Sequence, residues 1–132
     1  MRRVSTVATV LLLVSFVSGA ARGAELRAHG ANTGLEGNDG NTVLSFTYDI
    51  PFPINSTITG NYTTVDGTAT AADNDYVPTS GTFTIPAGST RSNTIQVVIV
   101  GDRRVEADET FSIVASNVVN GAPPPPRVIT IL

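Results

Sequence analysis

The sequence has no cysteine, no tryptophan and no lysine, a single histidine, and only 14% charged residues. Without cysteine there is no disulfide framework, no thiolate metal site and no cysteine nucleophile. The single histidine, His29, sits in a stretch with no strand or helix pattern, so a Ser-His-Asp triad would have no anchored base. His29 is therefore expected to be a bystander. Aromatics make up 6%, and the seven beyond residue 23 are mostly needed for a core, which leaves few to line a sugar cleft between paired carboxylates. Gly37-Asn38-Asp39-Gly40 is a turn, not the strand-to-helix cradle that holds a phosphate. No enzyme is expected.

What remains is compact and apolar. With 132 residues and 41% hydrophobic content, the chain makes one small domain. Low charge at this apolar content is not the signature of a disordered polyelectrolyte. All eight basic residues are Arg, and three of them lie in the first 23 positions, where there is no acid. Beyond that point five Arg face 11 Asp and Glu, a balance of −6. Such a surface repels phosphate backbones, so no nucleic-acid partner is expected, while cations are attracted.

The N-terminus reads as an export signal over residues 1–23. Met1-Arg2-Arg3 is a basic start, Val4 to Val17 is an apolar run broken only by Ser and Thr, and Ser18 to Ala24 is rich in small residues. About 14 apolar residues are too few to span a bilayer that needs roughly 20. Ala21 and Gly23 suit the −3 and −1 positions, which places cleavage near Gly23/Ala24. The mature chain is then secreted, extracellular or periplasmic, with no transmembrane segment.

Residues 24–34 carry no periodic pattern and read as a flexible lead-in. After them, period-2 alternation recurs between turn signals. Leu44, Phe46 and Tyr48 share a face, as do Phe83 and Ile85, Ile95, Val97 and Ile99, and Phe111 and Ile113. Tyr62 joins them across Gly60, and Val128 to Leu132 makes a last strand. No apolar stripe of helical period runs beyond two turns. Short strands at this spacing predict an all-β sandwich. The chain ends at Leu132 inside the last alternating run, as a fragment of something longer would.

Most of the remaining acids sit in three loops. Glu36 lies in Leu35-Glu36-Gly37-Asn38. Asp66, Asp73 and Asp75 lie between Val65 and Tyr76. Asp102, Glu106, Asp108 and Glu109 precede Phe111. In a sandwich, loops from alternate strand ends converge at one pole. Converging carboxylates repel one another unless a hard cation lies between them, and calcium accepts six to eight oxygens. The same acids also serve as turn formers, because Asp caps its own backbone. Residue types alone leave both readings open.

The order of motifs points further. Asp66-Gly67-Thr68-Ala69 followed by Asp75-Tyr76, then Ser80-Gly81-Thr82-Phe83, Pro86-Ala87-Gly88-Ser89, Gly101-Asp102 and Val105-Glu106-Ala107-Asp108-Glu109-Thr110-Phe111, resembles the Calx-beta domain over residues 35–132. The resemblance implies an immunoglobulin-like β-sandwich of about seven antiparallel-type strands, used in sodium/calcium exchangers and other membrane-associated or exported proteins. It implies calcium ligands at Glu36, Asp66, Asp102, Glu106 and Glu109, together with the backbone carbonyl of Arg104. Asp75 and Asp108 match motif acids that fix turns, with Tyr76 packing beneath. Three departures weaken the site. Gly101 replaces an Asp, Arg103 replaces an acid and is expected to turn a cation toward the site, and the chain ends where exchangers begin a run of Asp. One extra residue between Ala71 and Tyr76 offers Asp73 as an added ligand.

With so few carboxylates, at best one weak site is expected, in the roughly 10⁻⁴–10⁻³ M range of extracellular modules. Two functional readings follow: a calcium-associated module in adhesion, surface architecture or cell communication, with calcium and other protein domains or cell-surface proteins as expected partners, and a metal-free spacer that binds protein partners at strand edges. The export reading is tested first. Secreted protein should begin at Ala24, and N-terminal sequencing that returns Met1 would overturn the signal.

Overall fold

The computed structural model describes residues 24–132, so the expected signal, residues 1–23, lies outside the described residues. Eight strands are found among them: β1 (Arg27–Gly30), β2 (Thr33–Gly34), β3 (Asn41–Asp49), β4 (Ile58–Asp66), β5 (Ser80–Ile85), β6 (Ile95–Val100), β7 (Glu109–Val119) and β8 (Arg127–Ile131). They form a three-stranded sheet ordered β1-β3-β6 and a five-stranded sheet ordered β2-β8-β7-β4-β5. No helix of the described residues is long and apolar enough to cross a membrane.

Alternation decides which face is buried. In β3, Leu44, Phe46 and Tyr48 are buried while Val43 and Ser45 are exposed; in β6, Ile95, Val97 and Ile99 are buried around an exposed Gln96. The facing sheet contributes Ile58, Phe83, Ile85, Phe111, Ile113, Ile129 and Ile131 to the same core. Tyr48 meets Phe83 across the two sheets with ring centroids 4.6 Å apart. This is a β-sandwich whose core lies between the sheets. Tyr62, expected in the core, is only partly buried at its margin.

Gly60 explains how β4 fits. It pairs with Phe83 of β5, and a Cβ there would come within 2.5 Å of the Phe83 ring. The same point carries a register shift between Thr59 and Asn61 against β7. A glycine thus lets the strand bulge while the aromatic ring fills the space.

The segment 24–34 is not a flexible lead-in. Leu26 is buried, and residues Arg27 to Gly30 pair antiparallel with β3 from Asp49 back to Phe46. Thr33 and Gly34 pair parallel with Thr130 and Ile131, the one parallel pairing among the named strands in an otherwise antiparallel sandwich. The sequence pattern was too short to reveal either strand: only Leu26 and Ala28 are apolar on the inward side. Arg127 closes this edge by donating from its guanidinium to the Ala28 carbonyl at 2.9 Å and to that of Gly30. It ties the first residue of one sheet's β8 to the edge strand of the other.

Two core substitutions follow. Phe111→Ala should cost about 3–5 kcal/mol and Leu26→Ala about 2–5 kcal/mol, measured by urea unfolding of the purified protein. A loss below 1 kcal/mol for Leu26 would restore the view of this segment as a tail.

Candidate metal centre

The ends of β4, β6 and β8 and the start of β3 and β7 meet at one pole, as the pairs Asn41–Val100, Asp66–Phe111 and Glu109–Ile131 require. Three loops close over it. The loop between β2 and β3 is tied down by the Glu36 amide, which donates to the Leu132 carbonyl at 3.1 Å, and by Gly101, whose amide donates to Gly40 at 2.9 Å. A Cβ on residue 101 would lie 2.6 Å from the carbonyl oxygens of both Glu36 and Gly40. No aspartate fits there, so Gly101 is the cost of bringing Glu36 close to Asp102.

The loop after β4 is held differently. Residues 75–77 lie along the edge of β6: Val100 donates to the Asp75 carbonyl at 3.1 Å and Val77 to Val98 at 2.9 Å, with Tyr76 bridged to Ile99. Asn74 turns the chain with φ of 67°, a conformation Asn tolerates. Tyr76 then stacks on Phe111, centroids 4.0 Å apart and planes within 8°. Its hydroxyl donates to Asp66, whose carboxylate also accepts from the Ala71 amide at 3.0 Å. These two donors hold the Asp66 carboxyl below the usual carboxylate range. Burial, and then Asp66, push the Tyr76 phenol up to about 12.

Two groups of acids result, and they share a member. Glu36, Asp102 and Glu106 have carboxylate oxygens within 4.8 Å of one another, and so do Asp75, Glu106 and Glu109. Burial pushes the Glu36 carboxyl up, aided by Asp102, Glu106 and Asp75 and opposed by Arg104. Glu109 is raised by burial, by Asp75 and by its hydrogen bond and charge contact with Glu106. Glu36 Oε2 and Glu106 Oε2 are buried and have no hydrogen-bond partner. Glu106 Oε2 does lie 2.9 Å from Arg104 Nε, but out of line for a hydrogen bond.

Of the expected ligands, Glu36, Asp102, Glu106 and Glu109 are brought together. Asp66 stands outside both groups, and its Oδ1 accepts from the Tyr76 hydroxyl and the Ala71 amide. Asp75 enters instead. It does fix a turn, accepting from the Thr70 amide at 2.9 Å, yet only 4% of it is exposed and its carboxylate faces Glu106 and Glu109. The sequence marked Asp75 through its neighbour Tyr76, but burial on the β6 edge was invisible there. Asp108 is exposed and outside both groups, while Asp73 lines a cleft of about 360 Å³ with Arg104, Glu106 and Glu109. The cation at the site is Arg104, not Arg103. Arg103 pairs with Asp39 at 3.7 Å, both more than four-fifths exposed. Arg104 instead reaches Asp102 and Glu106, and its amide donates to Asp102 Oδ1 at 2.8 Å. His29 lies on β1, which pairs with the far half of β3.

The family model of the Calx-beta domain matches residues 38–131. Among solved structures, the apo-form Calx CBD1 domain is similar with a TM-score of 0.62 and 24% identity, over 82% of this chain and 96% of that one. CBD12 from CALX1.2 is similar with a TM-score of 0.66 and 25% identity, over 82% of this chain and 44% of that one. The calcium binding domain CBD12 of CALX1.1 is similar with a TM-score of 0.63 and 27% identity, over 80% and 45%. This chain therefore spans less than half of either CBD12 structure. No curated protein matches significantly.

The two raised carboxyls set a pH dependence. A group whose folded pKa is raised contributes stability below its unfolded pKa and loses it as pH rises through the folded value. In chelator, Glu36→Gln should therefore raise the melting temperature at pH 7 by roughly 1–5 °C. The gain should fade toward pH 4, where the wild-type carboxyl is already protonated. Asp66→Asn has the opposite sign at pH 7, since a lowered pKa contributes stability that is lost only in acid. Thermal melts between pH 4 and 7 check both signs.

Proposed function

From the chain's membership of the Calx-beta domain family, we propose that it is an exported, non-catalytic module that binds calcium weakly at its acidic pole. One observation carries this reading: Glu36 Oε2 and Glu106 Oε2 are buried without hydrogen-bond partners in the midst of other carboxylates. Buried anionic oxygens without a hydrogen bond are costly, Glu106 Oε2 having only the misaligned Arg104 Nε at 2.9 Å, and a hard cation relieves both the missing partner and the mutual repulsion. The donor set is all oxygen, which suits calcium and not a soft metal. Glu36, Asp102, Glu106, Asp75 and Glu109 would hold it. Asp66 serves as the clamp on Tyr76 that sets the loop's position.

Calcium, when bound, supplies positive charge that lets the three loops stay close together. Glu36 brings in the loop after β2, Asp75 the loop after β4, Asp102 and Glu106 the loop before β7, and Glu109 the first residue of β7 itself. The chain's own contribution is to pre-place these oxygens through backbone bonds such as Gly101 to Gly40 and Val100 to Asp75. An affinity in the roughly 10⁻⁴–10⁻³ M range would keep the site filled outside a cell and empty in cytosol. The export signal supports that setting. Such a pole works by stiffening the end of a module in adhesion, surface architecture or cell communication.

The metal-free spacer is favoured by one specific observation, the Arg104 guanidinium already lying against Asp102 and Glu106. Melting the purified protein in chelator and in 10 mM calcium, about ten times the weaker expected dissociation constant, separates the two. Binding at ten times Kd stabilises by about 1.4 kcal/mol, and each kcal/mol raises the melting point by about 4–8 °C in a domain of this size. The rise should disappear in Glu36→Gln combined with Glu106→Gln, persist in Asp66→Asn, and not be reproduced by magnesium, which demands a tighter octahedron. An unchanged melting point would assign the protein to the spacer reading.

A further inference from the structure

We infer that Arg104 is a tethered counter-ion that fills part of the acidic pole in the calcium-free protein and competes with calcium for the oxygens of Asp102 and Glu106. This rests on the calcium reading above and adds the element that sets its affinity.

The placement is specific. Arg104 stands two residues from each acid it touches. Its amide is fixed to Asp102 Oδ1 at 2.8 Å, which anchors the backbone. Its Nε lies 3.4 Å from Asp102 Oδ2 and 2.9 Å from Glu106 Oε2. Glu106 belongs to both acid groups, so the guanidinium contacts the residue that the two groups share. Arg104 also lines the clefts on both sides of the loop, of about 360 Å³ toward Asp73 and Glu109 and about 250 Å³ toward Glu36 and Leu132. The other described arginines with contacts are occupied elsewhere: Arg91 and Arg103 pair with Asp49 and Asp39, and Arg127 binds the carbonyls of Ala28 and Gly30.

The contact is also easy to break. The Arg104 side chain is 62% exposed, so its charge is well hydrated when released. Its Nε donates to Asp102 Oδ2 only at a long 3.4 Å and lies out of line for a hydrogen bond to Glu106 Oε2, so screened Coulomb attraction makes up most of the contact. A cation seeking the same oxygens sees only the fraction of molecules with Arg104 swung away. The apparent dissociation constant is larger than the intrinsic one by the inverse of that fraction. An exposed pair of this kind corresponds to about a fivefold change.

The test titrates calcium chloride, by calorimetry, into the purified wild-type protein and into Arg104→Gln and Arg103→Gln. Arg104→Gln should bind about fivefold more tightly, and Arg103→Gln should match wild type. The side-chain Nε–H resonance of Arg104, identified by its absence from the Arg104→Gln spectrum, should move in wild type as calcium is added. Binding by Arg104→Gln alone would be the strongest support, with the guanidinium masking the site outright. Wild-type binding with equal or weaker binding in Arg104→Gln, or an Arg104 resonance that ignores calcium, overturns the counter-ion role and leaves the calcium reading standing. No binding by wild type or either variant overturns both.

Discussion

The ring of Tyr76 lies flat on Phe111 while its hydroxyl donates to Asp66, and the acidic pole takes its arrangement from these contacts. Phe111 is fully buried between the sheets, so the stack fastens a loop residue to the core. Asp66 ends β4, so its hydrogen bond pulls the far side of that loop to the same point. Asp75, next in the chain to Tyr76, is thereby carried under the loop before β7 and loses nearly all contact with water. An acid is buried here because an aromatic neighbour is.

The acids that gather at this pole oppose their own packing. Burial and like charge raise the carboxyls of Glu36 and Glu109, and two carboxylate oxygens lack hydrogen-bond partners. The backbone holds them there regardless. Glu36 is bonded through its amide to the last residue of the chain, and Gly101 lets the loop after β2 approach to a distance that no side chain would permit. A positive charge is the natural complement, and the protein supplies one itself in Arg104. Under the proposed calcium reading, the balance between this tethered guanidinium and a free divalent ion would be set by the ion's concentration.

The opposite end is built on a different economy. There Arg127 satisfies the outward carbonyls of β1, and Leu26 adds an apolar side chain to the core. The edge of β6 is covered in the same spirit by residues 75–77. Sheet edges with unpaired backbone groups invite strand addition, and at these two edges the chain uses its own groups to fill the vacancy. The metal-free spacer would therefore have to recruit partners at some other edge.

The sequence by itself determined the sandwich, the buried faces of β3, β5, β6 and β7, the presence of a last strand at β8, and the concentration of acids in three loops. Period-2 alternation is a local property, because successive side chains of a strand point to opposite faces whatever the rest of the chain does. The resemblance to the Calx-beta domain also implied that Tyr76 packs beneath the acids. Only the tertiary structure decided that Asp66 clamps a tyrosine while Asp75 faces Glu106 and Glu109, that Arg104 and not Arg103 meets the acids, and that residues 27–34 complete two sheets. Each of those outcomes depends on a partner distant in sequence: Asp66 on a hydroxyl ten residues on, β1 on a strand beginning at Asn41, Glu36 on Leu132. Two carboxylates with the same local signal take different roles because the backbone of other loops, not their own neighbours, fixes how much water and which donors each one meets.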